Sequence, residues 1–264
     1  MKHLALPAFF FCLLCLLFCQ ASYSRNKKPA QEFYDIQVYH FKTAEQEKGL
    51  DDYFKQAFIP ALHRLGIEKT GVFKPIANDT AADKLIYVFI PLKSFEQLLS
   101  LPSKLVADAA YTTAGGSFLD AAYNAPAFTR MESILLKAFV TAPVMQMPAL
   151  SGSHADYVYE LRSYESPSEK LHVNKVQMFN DGGEVPLFKR LGFNAVFYAD
   201  VITGSHMPNL MYMTSFNNMD ARTEHWKTFS ADAEWKKLSA MPQYQHNVSK
   251  AEVILMHATD YSDI

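Results

Sequence analysis

The sequence predicts an α+β protein made of two βαββαβ repeats whose sheets close on one another as a barrel. Three observations predict it. Phe33-Tyr34-Asp35-Ile36-Gln37-Val38-Tyr39 returns as Val158-Tyr159-Glu160-Leu161-Arg162-Ser163-Tyr164, 125 residues later. Ile59-Pro60-Ala61-Leu62-His63-Arg64-Leu65-Gly66 returns as Val185-Pro186-Leu187-Phe188-Lys189-Arg190-Leu191-Gly192, 126 residues later. A period of that length is a duplicated domain, because solenoid repeats run to roughly 20–50 residues. The third observation is that strand-like and helix-like stretches follow the same order in each half.

In the first half, Phe33 to Phe41 alternates as a strand and Leu50 to Leu65 has helical spacing. Gly71 to Ile76 and Lys84 to Ile90 read as strands, Phe95 to Ala110 as a helix, and Met131 to Val140 as the closing strand. The second half repeats the order. Tyr157 to Tyr164 is a strand, Ser168 to Phe179 a helix, and Glu184 to Leu191 a further helical turn after the break at Asp181-Gly182-Gly183. Strands at Ala195 to Asp200 and Leu210 to Phe216 precede a helix around Ala221 to Leu238, and Ala251 to His257 ends the pattern. Gly66 and Gly192 stand where a left-handed helix cap is needed, a conformation glycine adopts without steric penalty. Each βαββαβ unit forms a four-stranded antiparallel sheet with both helices on one face, so the other face needs a cover, which its sister supplies. The expected division is repeats at 31–140 and 155–264, joined by a linker at 141–154 that carries Pro143, Pro148 and Gly152.

Residues 1–24 read as a signal peptide: Lys2 and His3, an apolar run from Leu4 to Phe18, then small residues at Cys19-Gln20-Ala21 or Ser22-Tyr23-Ser24. The uninterrupted apolar stretch falls short of the ~20 residues a spanning helix needs. Export to a periplasmic or extracellular compartment is the expectation, with no membrane span after cleavage. Lipid attachment at Cys19 is the lesser alternative, because Phe18 replaces the usual small residue before a lipidated cysteine. Cys12, Cys15 and Cys19 are the three cysteines of the chain, so the mature protein is expected to hold itself by packing rather than by disulfides. The net charge of −2, with acids and bases interspersed, offers no basic stripe for nucleic acid.

Strand parity puts Glu160, Arg162 and Tyr164 on one face of their strand and Tyr159, Leu161 and Ser163 on the other. Taking the helix-covered side as the drier one, the charged set is expected to point into the barrel, with Asp35, Gln37 and Tyr39 at the equivalent places. A Glu160–Arg162 pair is the plain structural explanation for two buried charges. The functional alternative is an interior cavity for an anion, or for an apolar molecule with a polar end. Arg162 would then supply a fork of donors, Glu160 would hold it and Tyr164 would orient the guest. Arg222, Trp226 and Phe229 form one helical stripe, which core packing explains; Arg222 is expected to snorkel from it or to stack on it, and joins the candidate ligand contacts. The methionine-rich Met207 to Met213 suits either an adaptable interior or ordinary core filling.

Among His154, His172, His206, His225, His246 and His257 no two stand at a helical i, i+4 spacing, and zinc motifs are absent. Haem needs one proximal histidine, so His172 and His206 are the haem or metal candidates. No catalytic residue and no cofactor is assigned. Asp181-Gly182-Gly183-Glu184 lacks the lysine and hydroxyl of a phosphate loop. Asn78-Asp79-Thr80 and Asn247-Val248-Ser249 fit the glycosylation sequon.

The segment Tyr159-Glu160-Leu161-Arg162-Ser163-Tyr164, together with Met211-Tyr212-Met213-Thr214-Ser215-Phe216, Arg222, Trp226, Trp235 and Glu252, resembles the NIPSNAP family, in its exported bacterial type. The resemblance spans the second half, and the first half looks like a diverged copy. Ser166-Pro167-Ser168 departs from the proline-glycine that many members carry there. The resemblance implies ferredoxin-like repeats in a dimeric α+β barrel, here pseudo-dimeric because both repeats share one chain. It implies no established reaction, and eukaryotic members are associated with mitochondria and protein partners. Two function classes follow: a non-catalytic exported protein binding a small ligand or a protein partner, and an α+β-barrel enzyme such as a cofactor-independent monooxygenase or a haem-binding protein. The first is the reading taken. Self-association into a homo-oligomer is left open.

Overall fold

The computed structural model describes residues 29–264, so the leader reading, Cys12, Cys15 and Cys19 lie outside the described residues. Its first half runs β1 (Phe33–Phe41), α1 (Ala44–Tyr53), a π-helical turn at Phe54–Phe58, α2 (Ile59–Arg64), β2 (Gly71–Pro75), β3 (Lys84–Leu92), α3 (Phe95–Ala107), α4 (Ala109–Ala114), α5 (Gly116–Leu119) and β4 (Arg130–Ala138). The second runs β5 (Val158–Glu165), α6 (Glu169–Asn180), α7 (Glu184–Arg190), β6 (Asn194–Thr203), β7 (Asn209–Phe216), α8 (Met219–Ala231), α9 (Ala233–Ser239) and β8 (Lys250–Ala258).

All strand pairings are antiparallel, and the sheet closes in the order β1-β3-β2-β8-β5-β7-β6-β4. Each half therefore contributes four contiguous strands, β4-β1-β3-β2 and β8-β5-β7-β6. The seams join the second strand of one half to the last strand of the other. One seam pairs Phe73 with Ala258 and Pro75 with Met256; the other pairs Leu136 with Val201 and carries a bulge beside Leu135. Closure leaves no free sheet edge.

The same local chemistry sets the helix ends in both halves. Thr43 and Ser168 cap the first helices by accepting the backbone N–H of Gln46 and Leu171, and Ser94 and Asn218 do the same ahead of α3 and α8. Asp108 and Asp232 each accept two N–H groups of the following short helix, so the expected single helices over 95–110 and 221–238 end at Ala107 and Ala231. Arg64 then pairs with Asp108, and Arg190 with Asp232, tying α2 to α4 and α7 to α9. Gly66 and Gly192 both have φ of 75°, as the caps require. The offset grows from 125 to 126 across the first helical stretch. There the first half continues through its π turn while the second breaks at Gly183, whose φ is 91°.

The barrel interior corrects the expected orientation of β5. Tyr34, Phe73, Phe89, Tyr159, Leu161, Phe197, Met211 and Met213 are buried together inside. Phe89 stacks on Phe197 with centroids 5.0 Å apart, Tyr34 meets both rings, and Phe73 meets Tyr159 at 4.8 Å. Glu160, Arg162 and Tyr164 lie instead under the helices, as do Asp35, Gln37 and Tyr39. The parity was right and its sign was inverted. A closed eight-stranded barrel is the driest place in the fold, filled from both sheets, whereas helices bring side chains that can pair with a buried charge.

Candidate functional site

On the helix-covered face of β5, Glu160, Arg162 and Tyr164 form a ladder, and Arg222 and Trp226 of α8 close over it. Arg162 Nε donates to Glu160 Oε1 at 2.5 Å, Arg222 Nε to Oε2 at 2.7 Å, and the Trp226 indole N–H to Oε2 at 2.9 Å. Arg162 Nη1 donates to the Tyr164 hydroxyl at 2.9 Å, which in turn meets the Tyr212 hydroxyl at 2.9 Å. The Arg162 guanidinium lies 3.8 Å from the centre of the Trp226 ring, a cation–π contact made by Arg162 rather than by Arg222. Glu160 is fully buried. Burial pushes its carboxyl up, but the bonds and charges of Arg222, Arg162 and Trp226 outweigh that and hold it below the usual glutamate range.

The four residues picked out together, Glu160, Arg162, Tyr164 and Arg222, are thus brought into one network. The Glu160 carboxylate accepts its three bonds from members of the network, and the Arg162 Nε and Nη1 groups are taken by Glu160 and Tyr164. Beside it Lys175 donates to Glu184 at 2.8 Å, with both residues buried.

The two histidine candidates lie apart from this network and from each other's contacts. His172 on α6 is buried, with Nε2 2.7 Å from Asp200 Oδ1. His206 sits in the β6–β7 loop with φ of 64°, 3.3 Å from Glu165. Among the described residues no group of three His, Cys, Asp or Glu side chains is placed to hold a metal. The sequon asparagines Asn78 and Asn247 are both buried, and Asn78 is bonded to the backbone of Leu85 through both side-chain ends, so neither presents its amide for modification.

The first half carries the same ladder with different partners. Gln37 Nε2 donates to Asp35 Oδ2 at 2.8 Å, the Tyr39 hydroxyl to Gln37 Oε1 at 3.1 Å, and the Ser133 hydroxyl to Asp35 Oδ1 at 2.6 Å. A cavity of about 550 Å³, open to solvent on one side, lies between β1, β4 and α3, with Asp35, Gln37, Tyr39 and Ser133 as its polar floor. Leu98, Leu101, Pro102 and Leu105 form the wall on α3, and Tyr53, Phe58 and Tyr111 line it from the neighbouring helical segments. The Tyr53 and Tyr111 hydroxyls meet at 2.8 Å.

Caps Ser94 and Asn218 align α3 with α8 at an offset of 124, which sets Leu98 against Arg222 and Pro102 against Trp226. The two side chains that fill the second half are thus absent from the first. Burial pushes the Asp35 carboxyl above the usual aspartate range, and the bonds from Ser133 and Gln37 offset only part of the rise. Sequence reading placed Asp35, Gln37 and Tyr39 as counterparts of the charged set but did not find Ser133, Tyr53, Tyr111 or the cavity. The signal was there in the pairing of Leu98 and Pro102 with Arg222 and Trp226.

Comparison with known proteins accords with this architecture. A protein of Fusobacterium nucleatum, provisionally named a monooxygenase, superposes with a TM-score of 0.55 at 8% identity, covering 87% of this chain and 93% of its own. A second so named, from Lactobacillus acidophilus, gives 0.54 at 10% identity, over 86% and 94%. A NIPSNAP family protein of Agrobacterium tumefaciens aligns over 44% of this chain and 98% of its own, at 19% identity and a TM-score of 0.36. No curated protein matches the chain. The first two likenesses are of fold, the α+β barrel. The NIPSNAP family model matches residues 159–263, the half that holds the Glu160 network.

Proposed function

We propose that this is an exported, non-catalytic small-ligand-binding protein, built from two ferredoxin-like βαββαβ repeats closed into a pseudo-dimeric barrel, and that it binds its ligand in the first repeat. One observation carries the reading: the cavity of about 550 Å³ over Asp35, open where the sister repeat is filled by Arg222 and Trp226. Its volume lies in the range of small-molecule sites, roughly 300–1,000 Å³, as do those of other depressions on the chain; what sets it apart is the buried Asp35 carboxylate in its floor beneath apolar walls. The barrel interior, packed with aromatic rings, is not the place for a guest. No helix among the described residues is long and apolar enough to cross a membrane, which is compatible with release after leader cleavage.

The test is native mass spectrometry with a small-molecule library, run on the wild type and on a Pro102→Trp variant. Adducts that the wild type forms and the variant loses support the reading. Adducts unchanged by Pro102→Trp would place the ligand elsewhere.

A further inference from the structure

We infer that the first-repeat cavity takes an apolar molecule carrying a protonated nitrogen, an ammonium or guanidinium held by Asp35. This rests on the ligand-binding reading above and names the chemistry of the guest.

Two carboxylates occupy equal positions on equivalent strands, Asp35 on β1 and Glu160 on β5. Glu160 shows what such a buried group gathers when its helix layer is closed: N–H donors from two guanidinium groups and one indole. Asp35 has received neither cation. Its two oxygens accept one neutral bond each, from Ser133 and Gln37, which leaves lone pairs without donors and a charge without a partner. Leu98 and Pro102 stand where Arg222 and Trp226 stand in the other repeat, so the missing groups leave a space of matching place and polarity. A guest with an apolar body and a cationic nitrogen supplies there what α8 supplies in the second repeat.

The charges around the cavity select the same sign. Among the described residues, Asp35 and Asp120 are the charged side chains lining it, and no lysine, arginine or histidine does. An anion would meet a buried carboxylate with no compensating base, and a neutral guest would leave that carboxylate's desolvation unanswered. The other titratable groups lining the cavity with Asp35 are Asp120, Tyr39 from β1, Tyr53 from the end of α1 and Tyr111 from α4; burial pushes the three phenols up, so they stay neutral as donors or acceptors. Lowering the pH removes the Asp35 charge earlier than for an ordinary aspartate, and binding of a cation weakens in step.

The experiment is isothermal titration of the full mature protein at neutral pH with three indoles of one shape and different charge: tryptamine, tryptophol and indole-3-acetate. The expected result is that tryptamine binds about tenfold tighter than tryptophol, the size of one charge-assisted bond, with indole-3-acetate weakest. Asp35→Asn should bring tryptamine to the level of tryptophol. The double change Leu98→Arg with Pro102→Trp, which rebuilds the plug of the other repeat, should abolish binding of all three. Equal binding of tryptamine and tryptophol to the wild type, or a tryptamine preference that survives Asp35→Asn, overturns the cation inference and leaves the cavity reading standing. Failure of all three to bind the wild type overturns both.

Discussion

Glu160→Gln is the perturbation that most directly weighs the second-repeat network. The carboxylate is fully buried and accepts three bonds, while Arg162 and Arg222 keep 16% and 22% of their side-chain surface. The amide retains the shape but removes the only carboxylate bonded to either guanidinium in this network. Leaving a buried charge without its partner costs about 3–5 kcal/mol, and the partial exposure of both arginines argues for the lower end, about 3 kcal/mol. For a chain of this size each kcal/mol moves the midpoint by roughly 2–4 °C, so a fall of about 6–12 °C is expected. Scanning calorimetry at neutral pH measures it.

The pH dependence supplies a second check. The folded carboxyl lies below its unfolded value, so its contribution is complete above the ordinary glutamate range and is lost as the pH falls through the folded value. Wild type and variant should therefore converge in acid. A variant within about 1 kcal/mol of wild type at neutral pH, the worth of an exposed pair, would refute the claim that the network holds the helix layer down.

The remaining expectations follow the same contacts. Asp35→Asn should leave the neutral-pH midpoint unchanged or raise it, because the Asp35 carboxyl is held above its ordinary value: its contribution is present at low pH and lost as the pH rises through the folded value. Wild type should gain on Asp35→Asn as the solution is acidified, and a fall in midpoint with the variant at neutral pH would contradict this. Arg162→Lys keeps the charge but gives up the planar stack on Trp226 and one arm of the fork, and should cost about 1–2 kcal/mol in urea denaturation. Lys175→Met leaves Glu184 buried alone and should cost about 3–5 kcal/mol, whereas Lys175→Met with Glu184→Leu should recover most of the loss in a double-mutant cycle.

How far the sequence was legible varies with the kind of information. The repeated strand and the repeated glycine cap were enough for element order and strand count, because both depend on local chemistry: alternation in Phe33 to Phe41 and positive φ at Gly66 and Gly192. Helix ends at Asp108 and Asp232 were missed because an aspartate between two helical stretches reads as one more helical residue until its carboxylate is seen accepting N–H groups. The inverted face of β5 has a deeper cause. Period-two spacing says which residues share a face but not which face meets water, and both faces of this sheet are covered. Only partners from other elements decide, and those of Glu160 stand 62 and 66 residues away on α8.

The contrast between the repeats explains why fusion matters for function. Two identical protomers closing a barrel must carry the same residue at every equivalent position, so a plug that steadies one sheet steadies both and any cavity appears twice. In one chain the positions can part company. Arg222 and Trp226 clamp the second helix layer onto Glu160, with aromatic packing from Phe188, Phe193 and Phe229 around Trp226. The barrel that both halves share can draw its rigidity from that side. The first half can then forgo a clamp and leave Asp35 desolvated beneath an open space, a state that costs stability locally and that the proposed cationic guest would relieve.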